Sequence, residues 1–169
     1  MTAATFQSTV NVNLGFGVPG ELIVDGPQRV DSLTLDSTGG TIGLAFTKSN
    51  STNIATQGGV VGTGVLFAGI LVNPKAYASY GAVGGAPLDP TMFLPPYSQG
   101  EFLTMGTIVV TMNGAANIGD IVFYEDTTGQ LYAGTPGSAA GVGFTLIPNA
   151  VVYRYPTSGT GLTAIRITE

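Results

Sequence analysis

No cysteine and no histidine occur among the 169 residues. Without thiols the chain has no disulfide, no thiolate nucleophile and no sulfur ligand for a metal. Without imidazole it lacks the commonest general base and the commonest transition-metal ligand, and neither usual nucleophilic triad can be assembled. Tryptophan is absent too. That counts against a sugar-stacking platform, although seven Tyr and eight Phe remain.

Charge is the next scarcity. Five Lys plus Arg and ten Asp plus Glu make 9% of the chain, against about 25% in an ordinary soluble domain. A folded monomer of this size exposes roughly 7,800 Å², so one charge serves about 520 Å² of surface. That is sparser than a soluble monomer normally tolerates. The expectation is a subunit whose faces are covered by other protein, not a freely diffusing catalyst. The net charge is −5, and the cations Arg29, Lys48, Lys75, Arg154 and Arg166 are scattered. A nucleic-acid surface needs them clustered, so no direct nucleic-acid partner is expected.

No run is long enough for the membrane. The longest apolar stretch, Val60 to Val72, contains Gly62, Gly64 and Gly69 and is too short to span a bilayer. The start, MTAATFQSTV, has neither a basic region nor an apolar core of signal-peptide type, so cytoplasmic synthesis is expected.

What is present is turn chemistry. There are 26 Gly and 10 Pro, costly in helices and suited to short strands joined by tight turns. Phe6, Val10, Val12 and Leu14 share a period-2 face. Leu22 to Val24 reads as a short strand stopped by Asp25-Gly26-Pro27. Val30 to Leu35 alternates, and Thr41 to Thr47 reads as a further strand. Lys48 to Gly59 reads as a polar loop, and Val60 to Val72 as a strand or strand pair with a glycine bulge. Ala76 to Tyr80 is the best helical turn. Phe102 to Met105 and Thr107 to Met112 are strands separated by Gly106. Asn113-Gly114 predicts a type I′ turn. Ile121 to Glu125 and Gln130 to Ala133 form a hairpin. Phe144 to Ile147 is a short edge strand before Pro148, and Asn149 to Tyr155 pairs with Leu162 to Thr168. The reading is all-β: a small β-barrel or jelly-roll-like sandwich built of short strands and hairpins, with an extended N-terminal arm. Residues 1–30 form the arm or a first strand, and 31–169 a single β domain.

Chemistry is hard to assemble from this inventory. Asp120, Glu125 and Asp126 are the one local acidic cluster, with no base partner or ligand cage beside them. Asp31 and Asp36 stand apart. The glycines at 58, 59, 62 and 64 are followed by neither Lys nor a helix, so the phosphate-loop reading fails on mechanism. Asn50-Ser51-Thr52 matches a glycosylation sequon by chance, given no secretion signal. No catalytic, cofactor-binding or metal residue is assigned, no cofactor or small-molecule substrate is expected, and no enzyme activity.

Interface candidates are easier to name. Gly81 to Gln99 is proline-stiffened and apolar, which lowers the ordering cost of docking. Met92, Phe93, Leu94 and Tyr97 are its candidates, the alternative being a lid over the chain's own core. Phe16, Val18 and Pro19 are candidates in the rigid loop Gly15 to Gly20. Arg154 and Arg166, beside Tyr153 and Tyr155, either anchor an interface or are solvated residues guarding a sheet edge. Glu101 and Lys75 each flank an apolar strand and make an interface ion pair or nothing.

Several phrases together resemble one family. They are Leu14-Gly15-Phe16-Gly17-Val18-Pro19-Gly20-Glu21 with Gly26-Pro27, and Phe67-Ala68-Gly69-Ile70-Leu71-Val72-Asn73-Pro74-Lys75. With them go Gly100-Glu101-Phe102-Leu103-Thr104-Met105-Gly106, Ile118-Gly119-Asp120-Ile121-Val122-Phe123-Tyr124 with Thr128-Gly129, and Ile147-Pro148-Asn149-Ala150-Val151. From about Phe6 to Ile167 the chain resembles the structural cement, or capsid decoration, proteins of tailed bacteriophages. The resemblance implies a non-enzymatic virion protein on the capsid exterior. It implies the major capsid protein as partner, at junctions between its subunits, and a dimeric or trimeric homo-oligomer. No site residue is carried over. Serine at Phe93, Leu94 and Tyr97 is expected to leave the fold intact and weaken shell binding. Competing readings are a particle-displayed adhesin or carbohydrate-binding module, a filament subunit exchanging Phe6 to Leu14, and an enzyme relying on carboxylates, Tyr or Lys.

Overall fold

The computed structural model describes residues 17–74 and 92–168. Over these the chain is all-β, with no helix among the described residues. The strands are β1 (Leu22–Ile23), β2 (Arg29–Leu35), β3 (Gly40–Thr41), β4 (Ala45–Ser49), β5 (Ile54–Gln57) and β6 (Val65–Leu71). They continue as β7 (Phe93–Leu94), β8 (Gln99–Met112), β9 (Ile121–Glu125), β10 (Leu131–Gly134), β11 (Phe144–Arg154) and β12 (Gly161–Ile167).

Strand β8 organises the rest. Its first half pairs with β2 and β6, and its second half with β12, β1 and, at Met112, β10. One closed ring runs β8-β2-β5-β4-β6 and back to β8. A second runs β8-β12-β11-β9-β10 and back, closed by the single parallel pair Leu131↔Met112. Closure removes free edges, which a chain with so few charges has little means to protect. Of the two architectures expected from sequence, the barrel is the observed one.

The two halves of β8 are one strand because Gly106 adopts φ 132 and bends it without a break. Consecutive apolar residues then serve two cores. Phe102 joins Leu35, Phe46, Leu71 and Leu94 in one cluster. Leu103 joins Ile70, Ile108, Val110 and Tyr124 in the other. Strand β6 does the same through the expected bulge at Gly69, where Phe46 faces Gly69 and Thr47 faces Phe67. A Cβ on Gly69 would lie 2.6 Å from the Leu103 carbonyl oxygen, so the close strand approach requires glycine there.

Five local readings are corrected. Thr41 to Thr47 is interrupted at Gly43, whose φ of 80 turns the chain between β3 and β4. The polar stretch Lys48 to Gly59 contains β5, held by pairing with β2 and β4 and burying only Ala55 completely. Gly106 lies within a single continuous strand. Asn113-Gly114 makes no type I′ turn, because only Gly114 has positive φ. Asn113 instead donates through Nδ2 to Gln130 Oε1 at 3.0 Å and to the Tyr132 hydroxyl at 2.6 Å. Phe144 to Ile147 is not a separate short strand. Paired with β9 alone, as an edge is, it opens β11, which arches between Leu146 and Val151 so that Pro148 needs no ladder hydrogen bond and then pairs with β12 from Ala150. Phe6 to Leu14, Phe16, and 75–91 with the expected helical turn Ala76 to Tyr80, lie outside the described residues.

Candidate functional site

Two groups of exposed side chains are held on this frame. The first gathers on the turn Ile42-Gly43. The Ile42 N–H donates to the Met92 carbonyl at 2.7 Å. On the other side Gly43 lies against Pro19, so closely that an added Cβ would sit 2.9 Å from the Pro19 Cβ. The structure therefore brings the 17–20 loop and the 92–98 segment to one neighbourhood. Val18 is exposed, its N–H donating to Glu21 Oε2. Pro19 and Met92 are half-buried.

Beyond Met92 the chain makes the two-residue ladder Phe93↔Thr41 and Leu94↔Gly40, then turns over Pro95-Pro96-Tyr97-Ser98. The Ser98 N–H and hydroxyl both donate to the Pro95 carbonyl, at 3.3 and 2.7 Å. Proline at the second position and φ 59 at Tyr97 give a type II arrangement. That turn favours Gly or Asn at its third position, yet a tyrosine stands there with 71% of its surface exposed. Its N–H donates to the Asp36 carbonyl at 3.1 Å. Phe93 is 44% exposed. Leu94 departs from the expectation of an interface residue. It is fully buried beside Leu35, Phe46 and Phe102, because successive strand residues face opposite sides and Phe93 takes the outer one.

The second group is built on Asp25, just after β1. Its Oδ1 accepts from the Thr107 hydroxyl at 2.8 Å. Its Oδ2 accepts from Arg166 Nη2 at 2.9 Å and lies 3.4 Å from Arg154 Nη2. Both guanidiniums lie over the Tyr153 ring, Arg166 at 3.5 Å and Arg154 at 4.6 Å from its centre. Arg154 also donates to the Tyr153 hydroxyl at 3.1 Å. The expectation that the arginines guard a sheet edge is corrected for Arg166, which is paired with Val151 on one side and Thr107 on the other; Arg154 pairs with Ala164, beyond the β9 ladder that ends at Val151. The Thr107 hydrogen bond and the guanidiniums outweigh burial and hold the Asp25 carboxyl below its ordinary range. Hydrogen bonds from Arg154 and Arg166 lower the Tyr153 hydroxyl likewise.

The Asp25 shift fixes a pH dependence. A carboxyl that titrates lower when folded stabilises the fold fully above its unfolded value of 3.8. The contribution is lost as the pH falls through the lower folded value. The melting temperature of the wild type should therefore fall more steeply than that of Asp25→Asn between about pH 4.5 and pH 2.5. Parallel curves would show that the contact contributes nothing.

The acidic residues hold local structure. Asp126 Oδ1 accepts from the Thr145 hydroxyl at 2.6 Å, and Asp120 Oδ2 accepts from the Asn117 N–H at 2.8 Å. Glu125 accepts from the Thr128 hydroxyl within the β9–β10 turn. Asp31 pairs with Lys48 at 3.9 Å, and Asp36 caps Thr38. Among the described residues no group of three or more acidic, His or Cys side chains is placed to hold a metal. The Tyr124 hydroxyl, raised chiefly by burial, donates to the Gly59 carbonyl at 2.8 Å and ties the two rings together. Sequence reasoning missed Asp25, whose one signal was the Asp-Gly-Pro turn.

Residues 6–168 match the family described as structural cement protein (E217 gp24/Pam3 gp6). No curated protein matches the chain. Among solved structures, a chain of "The capsid of Myoviridae Phage XM1" is similar at a TM-score of 0.70 and 16% identity. The similarity covers 98% of this chain and 99% of that one, and at that identity it speaks for the fold.

Proposed function

Because this chain belongs to the structural cement protein family, with which 6–168 match, we propose that it binds the outer face of a phage head where major capsid subunits meet. Its role is that of structural capsid cement, and the near-complete family match carries this conclusion. Neither the adhesin nor the filament reading draws support from that family.

The mechanism follows from geometry. A subunit touching two capsid subunits contributes free energy only when their spacing is right. Many copies add, so a modest contact per copy holds a shell. Binding the expanded shell and not its precursor stabilises the mature form by linkage. The exposed side chains of Phe93, Tyr97 and Val18 are offered as contacts. Residues 31–169 act as one β unit, and the first thirty, of which Leu22–Ile23 pairs with β8, serve as its arm or first strand. A dimer or trimer is the working form, without nucleic acid, membrane, cofactor or substrate.

Cosedimentation with heads depleted of this protein tests the reading. Retention by expanded heads, with a native mass above that of a monomer, is expected. A stable monomer that heads do not retain would refute it.

A further inference from the structure

We infer that the Asp25–Tyr153–Arg154–Arg166 group is a docking point for a carboxylate on the capsid subunit. The inference rests on the cement reading above and goes on to name the chemistry of the partner.

The first support is charge. Two guanidiniums share one carboxylate, so this spot carries about one surplus positive charge. Removing these three from ten acids and five cations leaves nine acids against three cations elsewhere. A cationic spot on an acidic protein steers and orients an acidic partner.

The second support is preorganisation. Free arginines lose much rotamer freedom when they dock. Here the Tyr153 ring beneath both guanidiniums, with the hydrogen bonds to Asp25, Thr107 and the Tyr153 hydroxyl, holds them in place beforehand. Five N–H donors per guanidinium exceed what Asp25, Tyr153 and Thr107 use. The side chains remain reachable, Arg154 at 43% and Arg166 at 33% exposure. A hollow of about 300 Å³ opens beside Arg166, between Gly26-Pro27 and Met105-Gly106. It admits one partner side chain to the guanidinium's flank. Asp25 is then both holder and competitor: it orients the arginines and occupies some of their capacity.

That dual role separates docking from a merely structural clamp. The full chain and its variants are titrated onto depleted heads at about 50 and about 300 mM salt, with thermal melting run in parallel. Arg154→Ala with Arg166→Ala should weaken binding about fivefold at low salt and much less at high salt. Asp25→Asn should tighten low-salt binding about twofold while lowering the melting temperature. If the double alanine variant does not fold, Arg154→Lys takes its place, since it keeps the charge and loses the guanidinium fork. It should weaken binding at unchanged melting temperature. Equal affinity and salt dependence for all variants would overturn the inference, as would an Asp25→Asn variant that loses affinity along with stability. Heads that do not retain even the wild type would instead defeat the cement reading.

Discussion

Leu94→Ser should lower the stability of the isolated protein by about 3 kcal/mol or more. Leu94 is wholly buried, among Leu35, Phe46, Ala55 and Phe102. Its removal leaves a void the surroundings cannot close, because β3 and the rings around it are already in contact. Phe46 meets Phe102 edge-on at 5.2 Å, and a Cβ on Gly40 would lie 2.5 Å from the Phe46 ring. The serine hydroxyl would add a desolvated polar group. Phe93→Ser, one residue earlier, removes a half-exposed ring and should cost under about 1 kcal/mol. Urea midpoints at constant slope separate the two. Equal losses would mean that Leu94 is not the core residue its burial indicates. A triple serine variant of Phe93, Leu94 and Tyr97 therefore cannot report on docking, because its middle substitution acts on the fold.

The all-β architecture was legible because Gly, Pro and alternation act locally. Val30 to Leu35, the Ile121–Ala133 hairpin and the last strand, expected over Leu162 to Thr168, all appear within a residue or two of their expected bounds, while the strand before it starts at Phe144 rather than Asn149. Closure into rings was not legible. It depends on one strand, β8, changing partners halfway, and its bend at Gly106 reads in sequence as a break. β5 was invisible for a related reason: Ile54-Ala55-Thr56-Gln57 is ordered by neighbours on both sides and not by its own pattern. Pro148 concealed the continuity of β11, because a strand can pass through proline at a bulge.

The candidate contacts divide in the same way. Residues close in sequence were named together, and alternation then sorted Phe93 outward and Leu94 inward. The arginine group was half visible, since Arg154 and Arg166 sit on one hairpin. Its carboxylate, Asp25, lies 141 residues from Arg166 and reaches it only because β1 pairs with β8 beside Thr107. Charge scarcity, read first as covered surface, acquires a more specific meaning here. With five cations in all, placing two on one tyrosine concentrates the little positive charge available.

Tyr97 offers the sharpest opposition between stability and binding. Tyr97→Gly should be more stable than Tyr97→Ala by about 1 kcal/mol, and both should bind heads at least tenfold more weakly than the wild type. Both substitutions delete the same exposed ring. They differ at φ 59, where an L side chain is strained by roughly 1–2 kcal/mol and glycine is not. Glycine's greater freedom in the unfolded chain offsets about 0.5–1 kcal/mol of that relief. A tyrosine kept in a strained, solvent-facing position contributes little to the isolated fold, so its retention points to what it meets outside. Chemical unfolding of the two variants, beside their titration onto depleted heads, reads both quantities. Unchanged binding with raised stability would assign Tyr97 no contact and return the turn to a structural role.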